Sequence, residues 1–309
     1  AFCRGAGVIY HFVDGIGGAV TLSCYRGSVN RWECDENDHL NVRFYLEKHG
    51  QALIGALGFL GVQIEPNTVL SRVELQHLRF IREARIAAPL SGYSALVGMS
   101  GAQIEILTEL RSQDQVLSTC VHRLQLGIDD INARLKDWSL LALPLYAQSK
   151  GIVDVNVPYV DLAHQELQHC GFECVGLGVV GNELCHARGA LKIHHYMGVI
   201  SDGMPHLWGK LLAGSFTQET PEGGAVLEFR IRYHQPLILG ARYSIQSGLL
   251  HFGAKVYNFA HMIFDLDRGT LCVSAEAVAV RMDLTTRKAV ETSAARHASV
   301  SDRQLLPRV

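Results

Sequence analysis

Residues 32–45 read Trp32-Glu33-Cys34-Asp35-Glu36-Asn37-Asp38-His39-Leu40-Asn41-Val42-Arg43-Phe44-Tyr45. Four carboxylates, a histidine and asparagine crowd between two apolar patterns. Such a density of polar groups is costly to fold unless it is solvated or used. Upstream, Thr21 to Trp32 carries Leu22, Cys24, Tyr25, Val29 and Trp32 around Arg26-Gly27, which suits a strand with a glycine bulge. Downstream, Val42, Tyr45, His49, Leu53, Ala56 or Leu57, and Leu60 recur at steps of three and four, which predicts a helix. Asn41 or Asp38 is its expected N-cap and Gly61 its stop. The last turns are apolar almost all round, so the helix is expected to be central and buried.

After Pro66 the period changes to two. Val73 to Ala88, Tyr93 to Met99, Gln103 to Leu110 and Val116 to Leu126 read as strands, with turns at Pro89–Gly92, Ser100-Gly101 and Ser112–Gln115. One antiparallel sheet wraps one helix. Ile128 to Gln148 reads as a helical segment interrupted by Pro144, followed by Val153–Tyr159 and an amphipathic stretch from Asp161 to Cys170. The first pattern then returns. Leu78 to Ser94 is echoed by Leu227 to Ser244, both with alternating arginines and a closing Pro-Leu, Gly and Tyr-Ser; Val116–Cys120 is echoed by Cys272–Glu276. A second helix is expected from near Ala190 through Leu211, bent at Gly203 and Pro205, with Tyr196 as the counterpart of Tyr45. The expected organisation is an extension over 1–19, a first unit over 20–127, a structured connection over 128–170, a second unit over 171–290 and a mobile tail over 291–309.

The formal charge of −2, from 28 basic and 30 acidic residues, gives no footprint for nucleic acid or an anionic membrane. No apolar run is long enough to span a bilayer. Residues 1–18 lack a compact signal-peptide core, and the eight cysteines contain no C-x-x-C pair, so reduced thiols in a cytoplasmic protein are expected.

A strand feeding an Asp-x-x-x-His-x-Asn turn, a buried helix with tyrosine ten positions after the aspartate, and an antiparallel wrap resemble the hot-dog fold, in particular the acyl-CoA thioesterases of the 4-hydroxybenzoyl-CoA type. Their motif is approximately Asp-x-Asp-x-x-Gly-His-x-Asn-x-x-x-Tyr. Here Glu33 replaces the first aspartate and Asp38 the glycine, a position where backbone angles favour glycine. The resemblance implies an α+β chain of two tandem hot-dog units, paired within the molecule, with further homo-oligomers open because a sheet edge is exposed. It implies an acyl-CoA substrate and no metal or redox cofactor, coenzyme A entering only with the substrate. Asp35 would be general base or nucleophile, and the Val42 backbone N–H would polarise the thioester carbonyl. His39 and Asn41 would shape the turn or contact substrate, Tyr45 would line the site, and Arg79, Arg82 and Arg85 would meet the coenzyme's phosphates. Aligning Tyr196 with Tyr45 puts His186 in place of Asp35, so one working and one degenerate site are expected.

Three other readings stand beside this one. The turn could be only a solvated acidic cap, worth about 0.3 to 1 kcal/mol at a helix N-terminus. The fold could serve a hydratase or dehydratase, with His39 or His186 paired to an acid. It could also be a non-catalytic module that binds acyl-CoA or an acyl carrier.

Overall fold

Asn41 starts the helix on which the first unit is built. Its side-chain oxygen accepts the Arg43 N–H at 3.0 Å, and helix α1 runs from Val42 to Phe59. Beyond it Gly61 takes φ +71°, and the Val62 N–H closes onto Leu57 O, which satisfies carbonyls the helix leaves open. Leu46, Leu53 and Leu57 lie on one stripe and are fully buried, each worth about 1.5–3 kcal/mol. Gly55 lets the helix approach the sheet, since a Cβ there would stand 2.6 Å from Cys24 O.

The computed structural model describes residues 4–5, 8–9, 12–14, 20–35, 38–62, 72–127, 139–152, 159–212, 222–283, 285–292 and 303–306, with single positions 131, 135 and 300. The chain divides into two units, 1–148 and 149–309, so the stretch expected as a connection is shared between them. In the first unit, β1 (Val20–Ser28), β2 (Val73–Phe80), β3 (Pro89–Ser100), β4 (Gln103–Ser112) and β5 (Gln115–Gln125) form an antiparallel sheet in the order β1-β3-β4-β5-β2. A short strand, Phe12–Asp14, pairs along the outer edge of β1. The α1 helix packs across β1, β3, β4 and β5.

The second unit contains α2 (His164–His169), β6 (Glu173–Val179), α3 (Ile193–Leu212), β7 (Glu222–Tyr233), β8 (Arg242–Phe252), β9 (Val256–Asp265) and β10 (Thr270–Asp283). Its sheet order, β6-β8-β9-β10-β7, repeats that of the first unit, and α3 packs on β6 and β8 with Pro205 inside it. A buried carboxylate fixes the start of this unit to its sheet. Glu228 of β7 is 2% exposed and accepts from Ser149 Oγ at 2.6 Å and from the Gly151 N–H at 2.9 Å.

Several expectations are corrected. The strand read over Val73–Ala88 stops at Phe80, because the N–H groups of both Ile81 and Arg82 turn to Leu117 O. The Pro89–Gly92 turn is instead the start of β3: Pro89 pairs with Ser28 at the end of the ladder, and Gly92 sits where a Cβ would meet Tyr25 Cβ at 2.6 Å. The bulge in β1 lies between Ser23 and Tyr25, not at Gly27. The helix expected through Leu141 and Leu145 is absent from 139–148, which is irregular and packs Leu143 and Ala147 against Leu107 and Val121. The rest of that helix, and Val153–Pro158, lie largely outside the described residues. In the tail, Val300 and Leu305 are buried.

The repeat is real, but its register differs from the echo in the sequence. The Val29 N–H donates to Ala88 O and the Ala87 N–H to Val29 O, as the Val180 N–H does to Ala241 O and the Gly240 N–H to Val180 O, and the Ile81/Arg82 pair on Leu117 O is matched by His234/Gln235 on Cys272 O. Pro89 is thus equivalent to Arg242 rather than to Pro236, and Leu117 rather than Val116 to Cys272. A slip of one residue exchanges the two faces of a strand.

Candidate active site

Between β1 and α1 the chain makes a 3-10 turn at Arg31–Glu33 and then a tight loop. Cys34 bridges Leu40, the Asp35 N–H donates to His39 O at 2.7 Å, and the Asp38 N–H to Asp35 O at 3.1 Å. Asp35 Oδ1 accepts the His39 N–H at 3.2 Å, so the loop holds the half-buried carboxylate in place. The loop needs a left-handed residue. Asp38 supplies it at φ +58°, and the same loop in the second unit has Gly189 at φ +77°. The glycine missing from the first copy is present in the second, and aspartate bears the conformation at a cost of about 1 kcal/mol.

The carboxylates separate into different roles. Glu33 turns inward: Oε1 is 2.8 Å from Lys48 Nζ, and Oε2 accepts from the Asn30 N–H at 2.8 Å. Both members of this ion pair are buried, so Glu33 stabilises the turn and α1 rather than facing substrate. Asn41 is occupied as the cap of α1. Val42 is the first helical residue, and among the described residues its N–H has no acceptor. That leaves an orphan donor at the positive end of the helix, beside the loop that carries Asp35.

His39 is buried and its backbone bridges Arg85. Its Nε2 lies 3.1 Å from Glu83 Oε2, a close contact off the line of an aligned hydrogen bond. Glu83 was not anticipated. It sits in the run Arg82-Glu83-Ala84-Arg85, whose alternation imitates a strand, and it reaches His39 only because β2 ends at Phe80. Tyr45 is turned inward. It is 4% exposed, and its hydroxyl accepts the Ala84 N–H at 2.8 Å and donates to Arg82 O at 3.4 Å. Burial pushes this phenol's pKa upward. Tyr45 therefore fastens the segment that presents Glu83.

The three arginines do not converge. Arg82 and Arg85 are exposed on either side of Glu83, with Arg85 Nη2 3.9 Å from its carboxylate. Arg79 is buried and donates to Gln148 O at 3.0 Å. A fully buried polar chain behind α1 also lay outside the sequence reading. His49 meets Thr108 Oγ1 at 2.7 Å and Ser118 Oγ at 2.9 Å, while His122 meets Thr108 at 2.9 Å and Gln76 at 2.8 Å. Burial, with the neighbouring imidazole's charge as a second cause, pushes His49 well below the usual histidine range, and burial brings His122 down to about 3.

The second unit keeps the scaffold and loses the groups. Tyr196 Oη accepts the Leu237 N–H at 2.8 Å, as Tyr45 does from Ala84, and the His186 N–H bonds Ala190 O at 2.9 Å. His186 thus stands at the place of Asp35, Ala190 at that of His39, Lys192 at that of Asn41 and Pro236 at that of Glu83. His186 Nδ1 accepts the Arg188 N–H at 3.1 Å, and burial with the charges of Arg188 and Lys192 lowers its pKa. Among the described residues no group of three or more His, Cys, Asp or Glu could hold a metal ion, and no helix is long and apolar enough to cross a membrane.

Two antiparallel sheets of identical order, each with a central helix, make this a tandem hot-dog protein. Residues 180–299 match the model of the thioesterase-like superfamily. The match falls on the second unit, whereas the motif resembling a thioesterase site lies in the first. Among solved structures, a 12:0-ACP thioesterase from Umbellularia californica is similar at a TM-score of 0.63 and 8% identity, covering 84% of this chain and 94% of that one. An acyl-ACP thioesterase from Bacteroides thetaiotaomicron gives 0.56 and 10%, covering 84% and 96%. A protein described as an oleoyl thioesterase from Lactobacillus plantarum gives 0.63 and 12%, covering 85% and 97%. At these identities the likeness is one of fold. No curated protein sequence matches the chain.

Proposed function

We propose that the protein hydrolyses an acyl thioester at the loop opening α1 of the first unit, with acyl-CoA as substrate and Asp35 as the essential carboxylate. The reading rests on one observation: Asp35 and His39 share a loop, Glu83 meets His39 from the segment after β2, and the second unit has His186, Ala190 and Pro236 at these places. Asp35 takes a proton from water as the water oxygen bonds to the carbonyl carbon. The Val42 N–H receives the charge that develops on the carbonyl oxygen. The carbon–sulfur bond then breaks, and His39, held by Glu83, supplies the proton the thiolate acquires. Attack by Asp35 itself, followed by hydrolysis of the anhydride, gives the same products. In this reading the exposed Arg82 and Arg85 meet phosphates of the carrier.

The test is release of free thiol from a panel of acyl-CoA and acyl-carrier-protein thioesters. Asp35→Asn should abolish turnover while leaving the fold intact. Undiminished turnover in that variant refutes the mechanism, and turnover confined to the carrier-protein arm refutes the choice of carrier. The His39–Glu83 contact also favours a second reading, a hydratase on enoyl thioesters. Loss of enoyl absorbance without thiol release would select it.

A further inference from the structure

We propose that the second unit binds a straight-chain aliphatic carboxylate in the cavity where the end of α3 meets the start of β6 and the far part of β8. The cavity measures about 440 Å³, within the roughly 300–1,000 Å³ typical of small-molecule sites. Buried Leu207, Leu211 and Leu249 line it, together with the more exposed Glu173, Lys210 and Arg303. One wall is the stretch 303–306, and hydrogen bonds fix it in place. The Leu305 N–H donates to Leu249 O at 2.8 Å, the Leu306 N–H to Cys170 O at 3.1 Å, and Tyr159 Oη to Leu306 O at 2.7 Å. The cavity is therefore preformed, and a ligand need not order it. It lies at the opposite end of α3 from the loop that carries His186, about 21 Å along the helix from Ile193 to Leu207.

The first unit shows what the cavity would accept. With Tyr196 at the place of Tyr45 and Val180 at that of Val29, the strand registers put Glu173, Leu207, Leu211, Gly248 and Leu249 at the places of Leu22, Ala56, Leu60, Ala95 and Leu96. Those five first-unit residues line the matching gap, which is only about 10 Å³. A returning stretch closes both, since the Leu141 N–H donates to Leu96 O at 2.8 Å as Leu305 does to Leu249. In the first unit Leu22, 5% exposed, takes up the space. In the second, Glu173 turns to Lys210 instead, Oε2 3.6 Å from Nζ, with both side chains well exposed. An apolar volume filled by a leucine in one copy is thus open in the other, and an alkyl chain can bury its surface there. The head group follows from the charges. Two cations against one carboxylate favour an anion at this mouth. Arg303 Nη1 donates to Lys210 O, and among the described residues its Nε and Nη2 have no partner. That edge of a guanidinium holds both oxygens of a carboxylate. The inference is independent of the thioester reading.

Isothermal titration of the full chain with decanoate tests the site. Decanoate should bind saturably, and each methylene added from hexanoate upward should tighten binding roughly fourfold. Decyltrimethylammonium, with the same chain and the opposite charge, should bind at least about tenfold more weakly. Arg303→Gln should weaken decanoate about tenfold or more, and Arg303→Lys should recover part of that loss. Glu173→Leu restores the residue of the first unit. It should weaken decanoate about tenfold by filling the cavity, although it removes a negative charge; a contact made by surface charge alone would tighten instead. This variant leaves Arg303 in place, so it decides the matter even where Arg303→Gln loosens 303–306. Asp35→Asn should leave the affinity unchanged, so the fate of the thioester mechanism is read separately. Absence of saturable binding overturns the proposal, as does equal affinity for the cation or undiminished binding in either Arg303→Gln or Glu173→Leu.

Discussion

Tyr45 Oη accepts the Ala84 N–H at 2.8 Å, and this bond ties the end of the first turn of α1 to the segment that carries Glu83. Tyr45→Phe keeps the ring against Phe80 but leaves a buried N–H unpaired, which costs about 1–3 kcal/mol. The variant should lose that much stability in urea. Because Glu83 then loses its tether, thioester turnover should fall more than KM rises. A variant as stable as the parent would show that the hydroxyl is dispensable.

Lys48 and Glu33 form an ion pair that water barely reaches. Lys48→Met strands a buried carboxylate and should destabilise the protein by roughly 3–5 kcal/mol, whereas Glu33→Gln combined with Lys48→Met should recover most of the loss. Denaturant melts of the single and double variants check this. If the single change is harmless, Glu33 is solvated in solution.

The left-handed position of the loop differs between the copies. Asp38→Gly should be tolerated, with stability within about 1 kcal/mol of the parent, because relief of strain and the greater freedom of the unfolded glycine oppose each other. Gly189→Val places a β-branched residue at φ +77° and should cost more than about 1–2 kcal/mol. Paired melting curves separate the two.

The buried histidines predict how stability varies with pH. In the unfolded chain they take up protons near pH 6.5; folded, His49 is held well below that, and His122 and His261 are brought down to about 3 by burial. Below about 6.5 the unfolded state binds more protons than the folded one. The stability present at neutral pH should therefore fall as pH drops from 6.5 towards 3, by up to about 1.4 kcal/mol per pH unit for each histidine. Urea melts between pH 7 and pH 4.5 measure the slope, and His122→Gln should make it shallower by one histidine's share. A slope unchanged by His122→Gln contradicts the neutral buried state.

The features legible in the sequence were those with a local cause. Asn41 caps, Gly61 stops, and Val42–Leu60 repeats with helical period, so α1 could be drawn from residues alone. The duplication was legible too, but its register was not. Pro89-Leu90 and Pro236-Leu237 look alike, although Pro89 starts a strand and Pro236 occupies the place of Glu83. The two dipeptides are alike in sequence, but the backbone bonds of Val29 and Val180 fix which residues are equivalent. Glu83 and the His49–Thr108–His122 chain were invisible for a related reason. Each depends on partners many residues away, and a histidine within an apolar helix does not reveal what it will face. Asp35 could be singled out only with its motif, since spacing alone allows a solvated acidic cap.

Glu228 determines where the chain can be divided. Its carboxylate is buried and takes donors from Ser149, Lys150 and Gly151. A fragment of the second unit that begins after Gly151 would strip these donors from a buried acid and should be less stable, whereas one that retains Ser149 carries them with it. A protease that nicks between units should for the same reason spare 149–151. Its cuts should fall on either side of that short grip.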